Sequence, residues 1–245
     1  MKKYRLLLAL MLGWAVSPLG SALPDGATIV NGQVKMNGQG NVLEILQSSP
    51  QAIVNWNGFN ISAGEIVRFL QPNSSAAILN RVVGQDPSKI LGLLQANGKV
   101  FLINPNGILF GAGSVVDAGS FMASTLHLSD SDFLANKIHL VQDPQKTLAG
   151  IVSQGTIRVT DGGFVALVSP LLSHEGLIVA QGGQVALGAT REATLNFDGR
   201  GLMEMVLPAG FNKNTVQNAP AGTPSPVLMT QDQVGDVLSS VINTK

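Results

Sequence analysis

From residue 23 to about residue 207 the apolar positions come in short runs separated by Gly and Asn. Val100-Phe101-Leu102-Ile103, Ile108-Leu109-Phe110, Ile157-Arg158-Val159, Leu177-Ile178-Val179 and Val185-Ala186-Leu187 are typical. Short runs rich in Val and Ile and bounded by turn residues predict strands. A helical period is visible around residues 87–96, where Ile90, Leu91, Leu93 and Leu94 predict one short helix opened by Asp86 and Pro87. One repeat is legible. Gly162-Gly163-Phe164-Val165-Ala166-Leu167 recurs 20 residues later as Gly182-Gly183-Gln184-Val185-Ala186-Leu187. The first copy follows Gly155-Thr156-Ile157-Arg158-Val159 and the second follows Gly176-Leu177-Ile178-Val179. A period near 20 with several short strands per unit predicts an all-β solenoid, the parallel β-helix. A β-sandwich or barrel is the alternative that the repeat alone leaves open.

A β-helix coil cannot fold alone. Burying four or five aliphatic side chains yields roughly 6–15 kcal/mol. Ordering about 20 residues costs roughly 20–40 kcal/mol of backbone entropy. Each coil therefore needs a neighbour as template, and the first coil needs a cover for its open end. The less regular stretch at about residues 23–69 is the place expected for an irregular N-terminal cap.

The N-terminus changes the picture of the remainder. Lys2, Lys3 and Arg5 precede an apolar run over residues 6–16, followed by Pro18 and by small residues at Gly20 and Ala22. This reads as a secretory signal over residues 1–22, cleaved between Ala22 and Leu23. The run is too short for a membrane span, which needs about 20 apolar residues. Of 15 basic and 15 acidic residues, the signal holds three basic ones, so the mature chain carries a net charge of −3. That balance, with basic residues scattered, argues against nucleic-acid binding. The chain has no cysteine. This suits a polypeptide that crosses a membrane extended, and equally a core large enough to need no disulfide. Residues 218–226 form a Pro/Ala/Gly linker, and residues 227–245 read as the start of a further coil.

Asn104-Pro105-Asn106-Gly107, between two apolar runs, predicts a tight turn joining two buried strands. The segment Asn55-Trp56-Asn57-Gly58-Phe59-Asn60-Ile61 lies 49 residues upstream. Together with Gln71-Pro72-Asn73-Ser74-Ser75, Leu79-Asn80-Arg81-Val82, Leu94-Gln95-Ala96-Asn97-Gly98 and Met122-Ala123-Ser124-Thr125-Leu126, in order, these segments resemble the N-terminal secretion domain of filamentous haemagglutinin and related two-partner secretion exoproteins. The resemblance implies a right-handed parallel β-helix with a cap over residues 23–217. It implies export by the general secretory machinery to the periplasm of a Gram-negative cell. There an outer-membrane β-barrel transporter with periplasmic recognition domains would take up a monomeric, largely unfolded chain, which folds at the cell surface or in the medium. It further implies a secretion role for Asn104, Pro105, Asn106 and Gly107, with Asn side chains that either contact the transporter or only shape the turn. Asn55, Trp56, Phe59, Asn60 and Ile61 match the second family motif, in which Trp56 is expected to pack a core or cap. Any adhesive, toxic or virulence activity would lie downstream.

Enzymatic chemistry is the main rival, because several β-helix proteins cleave polysaccharides with clustered carboxylates. Asp117, Asp161, Glu175, Glu192 and Asp198 are isolated in sequence, and Asp130 with Asp132 reads as a solvated loop. His127, His139 and His174 lack metal-ligand spacing. Gly111-Ala112-Gly113-Ser114-Val115-Val116 lacks the third glycine of a dinucleotide loop and predicts a β corner. Asn60-Ile61-Ser62 and Asn73-Ser74-Ser75 fit the N-glycosylation pattern incidentally. The sequence thus predicts a non-enzymatic secretion and folding-nucleation domain with no metal or cofactor. A stand-alone surface adhesin or carbohydrate-binding β-helix is the alternative.

Overall fold

The computed structural model describes residues 23–197 and 203–207. The signal segment with Ala22, the carboxylate Asp198, and the linker and further coil expected over residues 218–245 lie outside the described residues.

The chain opens with β1 (Thr28–Asn31) and β2 (Val34–Gln39), and then winds. β3 (Val42–Gln47) turns into β4 (Gln51–Trp56), and β5 (Ile66–Leu70) into β6 (Ala77–Val82). The next coils have three strands each. They are β7 (Ser88–Ile90), β8 (Leu93–Ala96) and β9 (Lys99–Ile103), then β10 (Ile108–Phe110), β11 (Val115–Ala118) and β12 (Ser120–Ser124). An excursion follows, made of β13 (His127–Leu128), α1 (Asp130–Leu134) and β14 (Ile138–Val141). Winding resumes with β15 (Gly150–Ser153), β16 (Thr156–Val159), β17 (Phe164–Ser169), β18 (Leu171–His174), β19 (Leu177–Ala180) and β20 (Gln184–Ala189). β21 (Glu192–Phe197) and β22 (Met203–Val206) come last.

Three sheets form the walls. The first runs β1-β4-β6-β9-β12-β17-β20, the second β7-β10-β15-β18, and the third β2-β3-β5-β8-β11-β16-β19. Pairing is parallel except at one end, where β1 lies antiparallel on β4 and β2 antiparallel on β3. These two strands cover the first coil, and Leu23, Val34 and Met36 pack against the inner core beside them. The expected solenoid is therefore present. The 20-residue repeat is its physical pitch, since β17 pairs with β20 in the register Phe164↔Gln184 through Ser169↔Ala189.

Register converts the repeat into a core. Ala52, Ile78, Val100, Phe121 and Val165 align strand by strand in the first sheet, and all five are fully buried inside the helix. The alternate positions Ile53, Leu79, Phe101, Met122 and Ala166 point outward. They form a second core beneath an outer antiparallel sheet, β13-β14-β21-β22, together with Phe133 of α1. Strands β4, β6, β9, β12 and β17 of the first sheet are thus buried on both faces.

Two local expectations are corrected. The helix expected at residues 87–96 is instead the pair β7 and β8 on different walls. Ile90 and Leu94 are buried from two directions around a corner, which mimics helical spacing in one dimension. The loop expected at Asp130 and Asp132 is α1, capped by the Ser129 side chain, which accepts from the Asp132 backbone N–H.

Candidate functional site

The two sequence motifs meet in space. Each coil turns from the first sheet to the second at one corner of the helix, and the motifs occupy that corner in different coils. Residues 57–60 follow β4, residues 83–87 follow β6, and Asn104-Pro105-Asn106-Gly107 follows β9. The corner after β6 is therefore sandwiched between the motifs.

The turn itself is closed by the Gly107 N–H donating to the Asn104 carbonyl at 3.2 Å, with Gly107 at φ 120°, in the left-handed region. Asn104 is fully buried. Its Nδ2 donates to the Asp86 carbonyl at 3.0 Å and to Ser88 Oγ at 2.9 Å. Its Oδ1 accepts from the Asn106 backbone N–H at 2.9 Å and from Asn106 Nδ2 at 3.1 Å. Asn106 Nδ2 also donates to the Gly84 carbonyl at 2.9 Å. The two asparagines thus staple their own turn to the corner one coil earlier. Both amide ends of Asn104 are satisfied inside the fold, as burial of such a group requires.

The upstream motif grips the same corner from the other side. The Val83 N–H donates to the Trp56 carbonyl at 2.8 Å, and the Lys89 N–H donates to Asn60 Oδ1 at 2.8 Å. Ile61 bridges to Ile90 and starts the second sheet. A Cβ on Gly84 would overlap the Asn57 carbonyl, so the corners stack backbone on backbone. Trp56 is 1% exposed and meets Phe59 edge to face, with ring centroids 5.5 Å apart. Its Nε1 donates to Asn80 Oδ1 at 3.0 Å, and Asn80 Nδ2 donates to the Phe101 carbonyl at 3.3 Å. Asn55 lies on the outer face of β4, where its Oδ1 accepts from Arg81 at 3.2 Å. Pro105 and Asn106 are half-buried, and Leu23 packs on the inner core.

Arg81 extends the network outward. It donates to the Leu128 carbonyl at 2.7 Å and pairs with Asp130 at 2.6 Å, tying the coil to the first residue of α1. Sequence reading missed the roles of Gly84, Ser88 and Arg81, and missed the excursion as a whole. A signal was present, since 25 residues lie between Ser124 and Gly150 where other coils need only a few.

The other candidate chemistry is dispersed. Asp117 pairs with Arg158 at 3.7 Å on the third sheet, and Glu192 with His139 at 3.1 Å on the outer sheet. Among the described residues no three His, Asp or Glu side chains gather where they could hold a metal ion. Also among them, no helix is long and apolar enough to cross a membrane. A cleft of about 430 Å³ lies between the first sheet and α1, where Phe101, Phe133 and Phe164 meet Gln51, Lys99 and Asn136.

Comparison with known proteins places this architecture. Residues 21–245 match the family model of the TPS secretion domain. A heme/hemopexin-binding protein of Haemophilus influenzae strain Rd is 30% identical over 203 residues, covering 80% of this chain. The chain spans only 22% of that relative's length. The crystal structure of the HMW1 secretion domain from Haemophilus influenzae superposes with a TM-score of 0.68 at 39% identity, covering 71% of this chain and 46% of that one. A solved filamentous hemagglutinin secretion domain aligns at 19% identity with a TM-score of 0.48, covering 76% of this chain and 68% of that one. The chain belongs to the TPS secretion domain family, the parallel β-helical secretion domains of two-partner secretion exoproteins.

Proposed function

We propose that this domain is recognised by a partner outer-membrane β-barrel transporter through periplasmic domains that read Asn104, Pro105, Asn106 and Gly107 before the chain folds. The observation that carries the reading is the burial of Asn104 together with its full set of hydrogen bonds. A side chain so engaged offers nothing to a partner once the coil has closed. In an unfolded chain the same amide is free, so recognition and folding compete for one group. Release from the transporter then coincides with closure of the corner, and the closed corner joins three coils at once. Asn55, Trp56, Phe59, Asn60 and Ile61 serve that closure as the receiving surface.

In this scheme residues 1–22 direct the chain through the general secretory machinery, with cleavage between Ala22 and Leu23. It crosses the outer membrane as a single polypeptide and folds at the cell surface or in the medium. Residues 23–217 are the folding unit, and residues 218–245 lead into a further coil. The module works without catalysis or cofactor. Its candidate carboxylates Asp117, Asp130 and Glu192 lie apart from one another, beside Arg158, Arg81 and His139 respectively.

The test is secretion from the native host with and without the transporter, for wild type and Asn104→Ala, alongside refolding of the purified proteins. Wild-type export is expected only with the transporter. Transporter binding by the unfolded chain should fall for Asn104→Ala and persist for Trp56→Phe. Equal binding by wild type and Asn104→Ala would reduce the motif to a structural turn. Export without any transporter would leave a stand-alone adhesin as the better reading.

A further inference from the structure

The outer face of the third sheet is open, and its side chains are arranged in rows. Leu46, Leu70 and Leu177 there are 49%, 40% and 56% exposed. The strand order β2-β3-β5-β8-β11-β16-β19 puts β8 at the centre of seven. Register aligns one row as Asn37, Glu44, Arg68, Gln95, Asp117, Arg158 and Val179. The neighbouring row is Gln39, Val42, Ile66, Leu93, Val115, Thr156 and Leu177. One row carries the charges and the other is mostly apolar.

The charged row has a symmetry. Outward from Gln95, one direction meets Arg68 and then Glu44, and the other meets Asp117 and then Arg158. Opposite signs therefore stand at equal distances from Gln95. A half-turn about an axis parallel to β8, lying between two facing sheets, reverses the row and keeps each residue at its level along the strand. It sets Glu44 against the second copy's Arg158, Arg68 against the second copy's Asp117, and Gln95 against itself. The apolar row lands on the apolar row, with Leu93 on the axis. A half-turn about an axis along the row would instead oppose like charges, so the pattern selects one arrangement. We propose that this face is an isologous docking surface for a second copy of the folded chain, with its two-fold axis along β8.

Within one copy Glu44 pairs with Arg68 at 3.2 Å and Asp117 with Arg158 at 3.7 Å. Arg68 also donates through Nε to Gln95 at 3.2 Å. Each guanidinium has five donors, so these contacts leave capacity for a carboxylate facing it. Seven strands spaced about 4.8 Å and roughly four residues of strand length give a footprint of roughly 400 Å² per copy. An interface of that size belongs with weak, reversible associations. Isologous pairing uses every contact twice, which is how a small patch gains strength.

The test is sedimentation velocity on the folded, secreted protein from about 1 to 300 µM at low and high salt. A reversible dimer with a dissociation constant on the order of 10–500 µM, weakened by salt, is expected. Arg158→Glu opposes two pairs of like charges across the interface and should weaken the dimer at least about tenfold. The double variant Glu44→Arg with Arg158→Glu breaks the pairs within each copy but restores those between copies, and should recover dimerisation. Gln95→Glu places two carboxylates on the axis and provides an independent readout should the Arg158 variant fail to fold. A chain that stays monomeric throughout overturns the proposal. So does a dimer that none of these substitutions weakens, or one that the double variant fails to restore.

Discussion

At the scale of single residues, the corner turns on Asn104, a buried amide that has no water to fall back on. Asn104→Ala removes two donated and two accepted hydrogen bonds and leaves Ser88 Oγ and the Asp86 carbonyl short of a donor. A loss of about 2–4 kcal/mol is expected, since deserted buried partners cost about 1–3 kcal/mol. Asn106→Ala should cost less, because half-buried Asn106 gives up mainly its bond to Gly84. Urea unfolding of both variants checks the order, and a cost for Asn106→Ala equal to that for Asn104→Ala would break the argument. Trp56→Phe leaves the ring packing largely in place but orphans Asn80 Oδ1 inside the core. It should cost about 2 kcal/mol, and Trp56→Phe combined with Asn80→Leu should cost less than the sum of the two. If the two changes instead add fully, the indole N–H does not serve Asn80.

At the scale of elements, corners must let backbones approach. A Cβ on Gly163 would overlap the Gly119 carbonyl, and one on Gly183 the Gly163 carbonyl. Gly163→Ala is therefore expected to destabilise by more than about 3 kcal/mol, well beyond the ordinary cost of a surface change. Gly162→Ala meets no neighbouring atom and carries only the strain of its φ of 77°, about 1 kcal/mol. Thermal unfolding of the pair reads the difference directly. These glycines also explain how much could be read beforehand. Gly162-Gly163 and Gly182-Gly183 stood out as a repeat because geometry demands glycine wherever coils touch, so the solenoid was visible in one dimension. The excursion showed only as a long gap between Ser124 and Gly150, without a pattern of its own. β13, β14 and β21 alternate polar and apolar like any strand, and their partners are antiparallel and up to 57 residues away, at Ile138↔Leu195. The short apolar spacing at Ile90, Leu91, Leu93 and Leu94 misled for a related reason, since a coil corner and a helical turn both bring residues three or four apart onto one side. The meeting of the two motifs was illegible too. Which strands share a wall depends on the number of residues per coil, and the coils between Asn55 and Gly107 are unequal. Arg81 is the test of how the excursion is held. Arg81→Met removes the bonds to Leu128 and Asp130 while keeping the aliphatic stem. Hydrogen exchange should accelerate in α1 and β13, with β9 and β12 unchanged, and uniform acceleration throughout would mean that the excursion and the coils unfold as one.

At the scale of the whole molecule, burial is graded along the axis, and stability should follow. Strands β4, β6, β9, β12 and β17 are covered on the inner face by the helix core and on the outer face by the second core. The last described coil is thinner. Ile157 of β16 is fully buried, whereas Ile178, its partner on β19, is only partly so, and Val185 and Leu187 of β20 are 49% and 43% exposed. At the opposite end β1 and β2 run antiparallel to the coil they cover and present Ile29 and Val30 to solvent rather than a further parallel template. A repeat array stabilised by nearest-neighbour contacts unfolds from its weakest end. Native-state hydrogen exchange in increasing urea should therefore release β18, β19 and β20 first, and β9 and β12 only with global unfolding. A shallow dependence on urea is expected for the first group, because little surface is exposed in that step. The Asn104→Ala variant separates the two ways this gradient could arise. If the corner that joins the coils of Asn60, Gly84 and Asn104 is the anchor of the array, the variant lowers the protection of β9 and β12 and brings it down toward that of β20. If the double burial of the first sheet is the anchor, β9 and β12 keep their lead over β20 and every strand shifts by the same amount. The bonds to Gly84, Asp86 and Ser88 join two adjacent coils, and the Lys89 N–H bond to Asn60 ties that corner to a third, so convergence of the two groups is the expected outcome.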